Sequence, residues 1–119
     1  MFKLFTKNEN ASEKAFAKAA KKFDLDLKDI NLVTFDKFLF SYVFMMVVCN
    51  KKVYLLTTEN KKPEIFEIKE IDHIAIEKKT DLNLFLKNGR VINLTSVVGV
   101  KPVVVRTFKR LEMELKALK

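Results

Sequence analysis

Tryptophan is absent from this 119-residue chain, and glycine, proline, cysteine and histidine come close to absence, at two, two, one and one. Two glycines, Gly89 and Gly99, cannot build a phosphate-cradling loop or a dinucleotide fingerprint, because both need several glycines at fixed spacing. His73, beside Asp72 on an alternating segment, reads as a surface strand residue and gives neither a zinc cluster nor a Ser-His-Asp arrangement. Cys49 ends an apolar run and reads as a small buried hydrophobe; alone, it excludes an internal disulfide framework. The longest apolar run, residues 38–49, is too short for a membrane helix, and its aromatic and β-branched content suits a long, bent, buried strand. The N-terminal segment 1–7 lacks a continuous apolar stretch and a small-residue cleavage site, so no secretion signal is read there. These absences leave no catalytic constellation, metal site or cofactor to expect. They point to a non-enzymatic cytoplasmic binding or scaffolding module, with the inner face of the membrane as an alternative location.

What is present is a balanced globular composition, 49% hydrophobic and 32% charged. A chain of this length fits one compact domain that buries roughly two-thirds of its unfolded surface without staples. The net charge of +8 is uneven: residues 1–85 carry 15 basic and 13 acidic side chains, residues 86–119 carry 8 and 2. Such a surplus attracts phosphate, anionic lipid or an acidic protein, and equally serves as a lysine-rich solubility surface.

A helix is expected from near Asn10, capped by Asn10 with Glu13 reaching back. Ala15, Phe16, Ala19, Ala20 and Phe23 fall on one face, and Lys14, Lys18, Lys21 and Lys22 lie outside it. With Phe2, Leu4 and Phe5 ahead of it, this segment can also be read as a membrane-surface element. Beyond residue 31 the period switches to two. Seven strands are expected, at 32–35, 37–49, 52–58, 64–68, 71–77, 81–87 and 90–97, with connections too short for crossover helices. An antiparallel meander follows. Asn88-Gly89 predicts a type I′ hairpin turn, although the two-residue register would set Leu84 against Asn93 and Leu94 against Asn83, which favours a bulge near Gly89. Asn50-Lys51-Lys52 and residues 59–63 are weaker turn signals.

Pro102 opens the last element, where its missing N–H has no partner. Val104, Phe108, Leu111, Leu115 and Leu118 make one apolar stripe, opposite Arg106, Lys109, Arg110, Glu112, Lys116 and Lys119. The stripe suits the open end of a curved sheet, with a coiled-coil dimer as the rival use.

Three stretches carry a family resemblance: Lys52-Val53-Tyr54-Leu55-Leu56-Thr57-Thr58; Ile68-Lys69-Glu70-Ile71-Asp72-His73-Ile74; and residues 82–92 around Asn88-Gly89. Over residues 35–119 the chain resembles bacterial PH-like and GRAM-type domains of the pleckstrin-homology-like superfold. The resemblance implies an α+β fold, a seven-stranded antiparallel barrel or sandwich capped by the C-terminal amphipathic helix. Residues 1–34 would add an N-terminal segment and helix. It further implies a binding module, for lipids or more often for proteins. Family patterns place a basic residue soon after the threonine strand; this chain has Glu59-Asn60 there, followed by Lys61-Lys62.

Candidate ligand-binding residues are therefore Lys51 and Lys52 in one turn, Lys61 and Lys62 in the next, and Arg106, Lys109 and Arg110 on the last helix. A protein partner is the first expectation. An anionic membrane surface bound through the basic loops is the second, and non-specific nucleic acid, or a nucleic-acid-binding protein, the third. Sequence-specific nucleic-acid recognition is disfavoured, because beyond Phe85 only Phe108 could stack on a base and it belongs to the apolar stripe.

Overall fold

The computed structural model describes residues 2–7, 9, 12–58, 60, 62–78, 81–96 and 102–119, the side chains of 95, 96 and 103 excepted. The elements run β1 (Phe2–Thr6), α1 (Ser12–Phe23), β2 (Ile30–Phe38), β3 (Ser41–Cys49), β4 (Lys52–Thr57), β5 (Glu64–Glu67), β6 (Ile71–Glu77), β7 (Asp81–Leu86), β8 (Val91–Ser96) and α2 (Pro102–Leu118). The fold is α+β. Its strands form two antiparallel sheets, ordered β1-β2-β3-β4-β5 and β6-β7-β8, and the chain divides into two compact units, Met1–Phe66 and Glu67–Lys119.

Three expectations are corrected by this architecture. The described residues form eight strands rather than seven, and they lie in two sheets, so of the expected barrel or sandwich the closed barrel is not what forms. The N-terminal segment is not an anchor but a strand, β1, paired along β2 from Phe2↔Asp36 to Thr6↔Leu32. The run 37–49 is broken into a hairpin at Leu39-Phe40, with Phe38 opposite Ser41.

In the first unit, antiparallel pairing puts Phe5, Val33, Phe35, Met45, Val47 and Leu56 on one side of the sheet. Helix α1 covers that side with Phe16, Ala19 and Phe23, which join Ile30, Val33, Met45, Val47 and Cys49 in one buried cluster. Ala19 is fully buried, as the small residues of α1 require for close approach to a sheet. Leu32, Thr34, Phe44, Met46, Val48 and Leu55 point to the other side and are equally buried. Thr34 keeps its hydroxyl satisfied by donating to the Lys3 carbonyl at 2.7 Å, a bond that also locks β1 to β2. Helix α1 begins at Ser12, whose N–H and hydroxyl both donate to the Glu9 carbonyl; the expected Asn10 cap lies outside the described residues. It ends with Asp24 at φ 55° and the Leu25 N–H donating to the Ala20 carbonyl, a left-handed helix stop.

In the second unit, Ile71, Ile74, Leu82, Leu84, Leu86, Ile92 and Leu94 are buried. The β7–β8 connection is not a two-residue type I′ turn: Gly89 alone has positive φ, 90°, and the Leu86 N–H donates to the Arg90 carbonyl while the Gly89 N–H donates to Leu86. This is a three-residue loop with a glycine bulge. The extra residue sets Leu84 opposite Ile92, which the simpler register could not do. Helix α2 buries Phe108, Leu111 and Leu115, and the Lys119 ammonium donates to the Ile71 carbonyl at 2.6 Å.

Candidate functional site: an apolar hairpin tip beside a lysine-rimmed groove

Phe38, Leu39 and Phe40 end the β2–β3 hairpin with relative exposures of 70%, 77% and 96%. Folding alone does not ask for them. Two-residue hairpin turns favour Gly, Asn or Asp, and Leu39 stands at φ 57°, a left-handed conformation costing an L-residue roughly 1 kcal/mol or more. A left-handed backbone and exposed apolar surface therefore coincide at one loop tip, which makes it the candidate site.

The root of the same hairpin is cationic and aromatic. Lys37 and Tyr42 face each other across the β2–β3 pair, and the ammonium groups of Lys37 and Lys22 lie 5.1 and 5.4 Å from the Tyr42 ring centre. Tyr42 in turn meets Phe35 edge-on at 5.4 Å, and Phe35 stacks on Phe5 at 6.1 Å. Between α1 and these strands lies an open groove of about 230 Å³. Phe5, Phe35 and Met45 form its floor, Lys14, Lys18 and Lys37 stand around it, and Ala15 keeps the helix side open.

No protein family, curated protein or solved structure matches this chain.

Of the residues singled out from sequence, those in the first unit lie at opposite ends of its sheet. Lys51 and Lys52 sit at the β3–β4 turn, where Asn50 and Lys51 both have positive φ, 49° and 62°. That turn lies at the end of β3 away from the tip, about 25–30 Å along a nine-residue strand. Lys62 belongs to the β4–β5 connection, which leaves β4 beyond Thr57↔Phe44 and so emerges at the tip end. Lys61 lies outside the described residues. Arg106, Lys109 and Arg110 are exposed on one face of α2, at helical neighbour spacing.

The structure does not gather Lys51 and Lys52 with Lys62. It gathers instead the lysines of α1 with the hairpin root. The apolar tip was missed because Phe38, Leu39 and Phe40 continue an apolar run without a turn-forming residue. The N-terminal residues weighed as an anchor are placed in the core, with Phe2 and Leu4 buried and Phe2 edge-on to Phe44 at 5.9 Å. Cys49 is buried, and that burial, reinforced by Asp29 and Asp26, pushes its thiol above the ordinary range. A thiol so disfavoured as thiolate is a packing group. His73 is exposed, stacked on Phe85 at 4.3 Å, with its Nδ1 2.7 Å from Asp72. Among the described residues no three His, Cys, Asp or Glu side chains come together as metal ligands, and no helix is long and apolar enough to cross a membrane.

Proposed function

We propose that this protein is a non-enzymatic module that docks on an anionic membrane surface, inserting the Phe38-Leu39-Phe40 tip with the α1 lysines against the headgroups. The observation that carries this reading is the run of three exposed apolar side chains on a strained turn beside a cationic patch. Each tip side chain contributes about 2 kcal/mol when moved out of water, so the three supply about 6 kcal/mol before ordering costs. An apolar anchor of that strength alone holds a protein marginally and reversibly, and a basic patch is the second signal that makes anchoring stable. Lys14, Lys18, Lys22 and Lys37 are that signal, at about 1 kcal/mol for each lysine brought near an anionic surface.

The pleckstrin-homology-like reading of the fold belongs to the same proposal. It is supported by the order of elements: the meander β2–β5, a second meander β6–β8, then the C-terminal helix, with β1 and α1 as an addition. Protein scaffolding, the first expectation from sequence, draws its support from the exposed Arg106, Lys109 and Arg110 face of α2, which suits an acidic partner. It does not by itself call for the α1 lysines beside the apolar tip, which the membrane reading uses together.

Flotation with liposomes across a salt series tests the proposal. The protein should float with vesicles containing phosphatidylglycerol, less so as salt rises, and not with neutral phosphatidylcholine vesicles. Phe38→Ser/Phe40→Ser should abolish flotation while leaving the circular dichroism spectrum unchanged. Failure to float at low salt, or flotation indifferent to these two residues, overturns it.

A further inference from the structure

We infer that the groove between α1 and the root of the β2–β3 hairpin is a site for one anionic phospholipid. Its phosphate sits among Lys14, Lys18 and Lys37, and its glycerol and first chain carbons lie on Phe5, Phe35 and Met45. This inference rests on the membrane reading and names the ligand that reading leaves open.

The first argument is the charge pattern of α1. Lys14, Lys18 and Lys22 follow one another at intervals of four, and Lys18 and Lys21 at three, so like charges meet along one helix face. Such pairs weaken a helix, and no acidic residue stands three or four positions from Lys14 or Lys18 to offset them. Tyr42 then draws Lys22 and Lys37 toward one ring. An anion seated beside Lys14 and Lys18 relieves the like-charge repulsion between them.

The second argument is the chemistry and size of the groove. Its floor is aromatic and aliphatic, its rim cationic, so the complementary molecule has an anionic head joined to an apolar body. At about 230 Å³ it is smaller than sites that enclose a whole small molecule, which run from about 300 Å³ upward. It therefore suits the head of a molecule whose remainder is buried elsewhere. A lipid still embedded in a bilayer is such a molecule, and the tip that enters the bilayer begins one residue beyond Lys37. The phosphate of a lipid and free phosphate share the rim chemistry; only the lipid uses the floor.

The test separates these sources on the intact protein. Monomeric dihexanoyl-phosphatidylglycerol, dihexanoyl-phosphatidylcholine and inorganic phosphate are titrated below the micelle threshold, with amide chemical shifts as readout. Phosphatidylglycerol should shift α1 and β3 resonances and bind at least tenfold more tightly than either other probe. Lys14→Ala/Lys18→Ala should weaken it tenfold or more, whereas Lys51→Ala/Lys52→Ala, with the same loss of charge, should not. Ala15→Leu keeps every charge but fills the groove, and should weaken the lipid while leaving the weak phosphate response unchanged. Equal binding of lipid and inorganic phosphate, or lipid binding indifferent to Ala15→Leu, overturns the inference.

Its failure is distinguishable from failure of the membrane reading. Vesicle flotation that depends on Phe38 and Phe40, with no saturable response to monomeric lipid, defeats the groove and leaves the membrane reading standing. Monomeric lipid binding without flotation does the reverse.

Discussion

Replacing Leu39 by glycine should move stability and membrane binding in opposite directions. Leu39 holds φ 57° in a two-residue turn and is 77% exposed, so it forms no packing that the folded protein would lose. Glycine removes a left-handed strain of roughly 1–2 kcal/mol and adds up to about 1 kcal/mol of chain entropy to the unfolded state. The net expectation is a gain of about 0.5–1 kcal/mol, seen as a melting point higher by roughly 3–5 °C for a domain of this length. The same change deletes one inserting side chain, worth about 2 kcal/mol, which lowers vesicle affinity by roughly 30-fold. Leu39→Ala is the companion variant: it loses most of the inserting surface but keeps the strain, so binding should fall with little gain in stability. Thermal unfolding followed by circular dichroism and a vesicle titration read the two quantities separately. A Leu39→Gly protein that melts lower, or that binds vesicles as tightly as the parent, would refute the reasoning.

Lys51 offers a second positive-φ position without an apolar role. Lys51→Gly should stabilise by about 0.5–1 kcal/mol in urea unfolding and leave vesicle binding within twofold, since this turn lies at the far end of the hairpin from the tip. Phe2 and Leu4 are core residues, so Leu4→Ser should lower stability by about 2–4 kcal/mol in the same assay, and any loss of vesicle binding should track the unfolded fraction. Cys49, with its thiol raised by burial, should resist a thiol reagent at pH 8 and react at once in denaturant. Because its folded pKa lies above the unfolded value near 9.0, its contribution to stability is complete below that pH and is lost as pH rises through the folded pKa. Cys49→Ala should flatten that alkaline loss in unfolding curves measured from pH 8 upward.

Much of the fold was legible because local rules agreed with the tertiary solution. The apolar face of α1 and the stripe of α2 follow the helical period, and Phe16, Ala19, Phe23, Phe108, Leu111 and Leu115 are buried as that period requires. The conflict in the β7–β8 register was visible in the sequence, and the glycine bulge resolves it. The hairpin tip was illegible for the opposite reason. Between residues 38 and 49 hydrophobicity is nearly continuous, and a turn made from Leu39 and Phe40 breaks the turn-residue rule that locates chain reversals. The rule has no purchase on a reversal built from two apolar residues, one of them at positive φ. Strand β1 left a clearer trace: Phe2 and Leu4 alternate with Lys3, but five residues with no turn signal beside them also suit an anchor. Lys51, Lys52, Lys61 and Lys62 stood out as paired charges in turns. The lysines of α1 stood out less, because only the folded chain sets them beside Lys37 and Tyr42.

Insertion of the tip is the central claim, and a polarity-sensitive dye placed on it reads that event directly. Leu39→Cys carries the label, with Cys49 protected by burial, and Lys52→Cys carries it in a control protein. On adding vesicles containing phosphatidylglycerol, the dye at position 39 should shift to the blue and be quenched by quenchers attached to the lipid chains, while the dye at position 52 stays in water. An unchanged spectrum at position 39, or equal changes at both positions, would contradict the account.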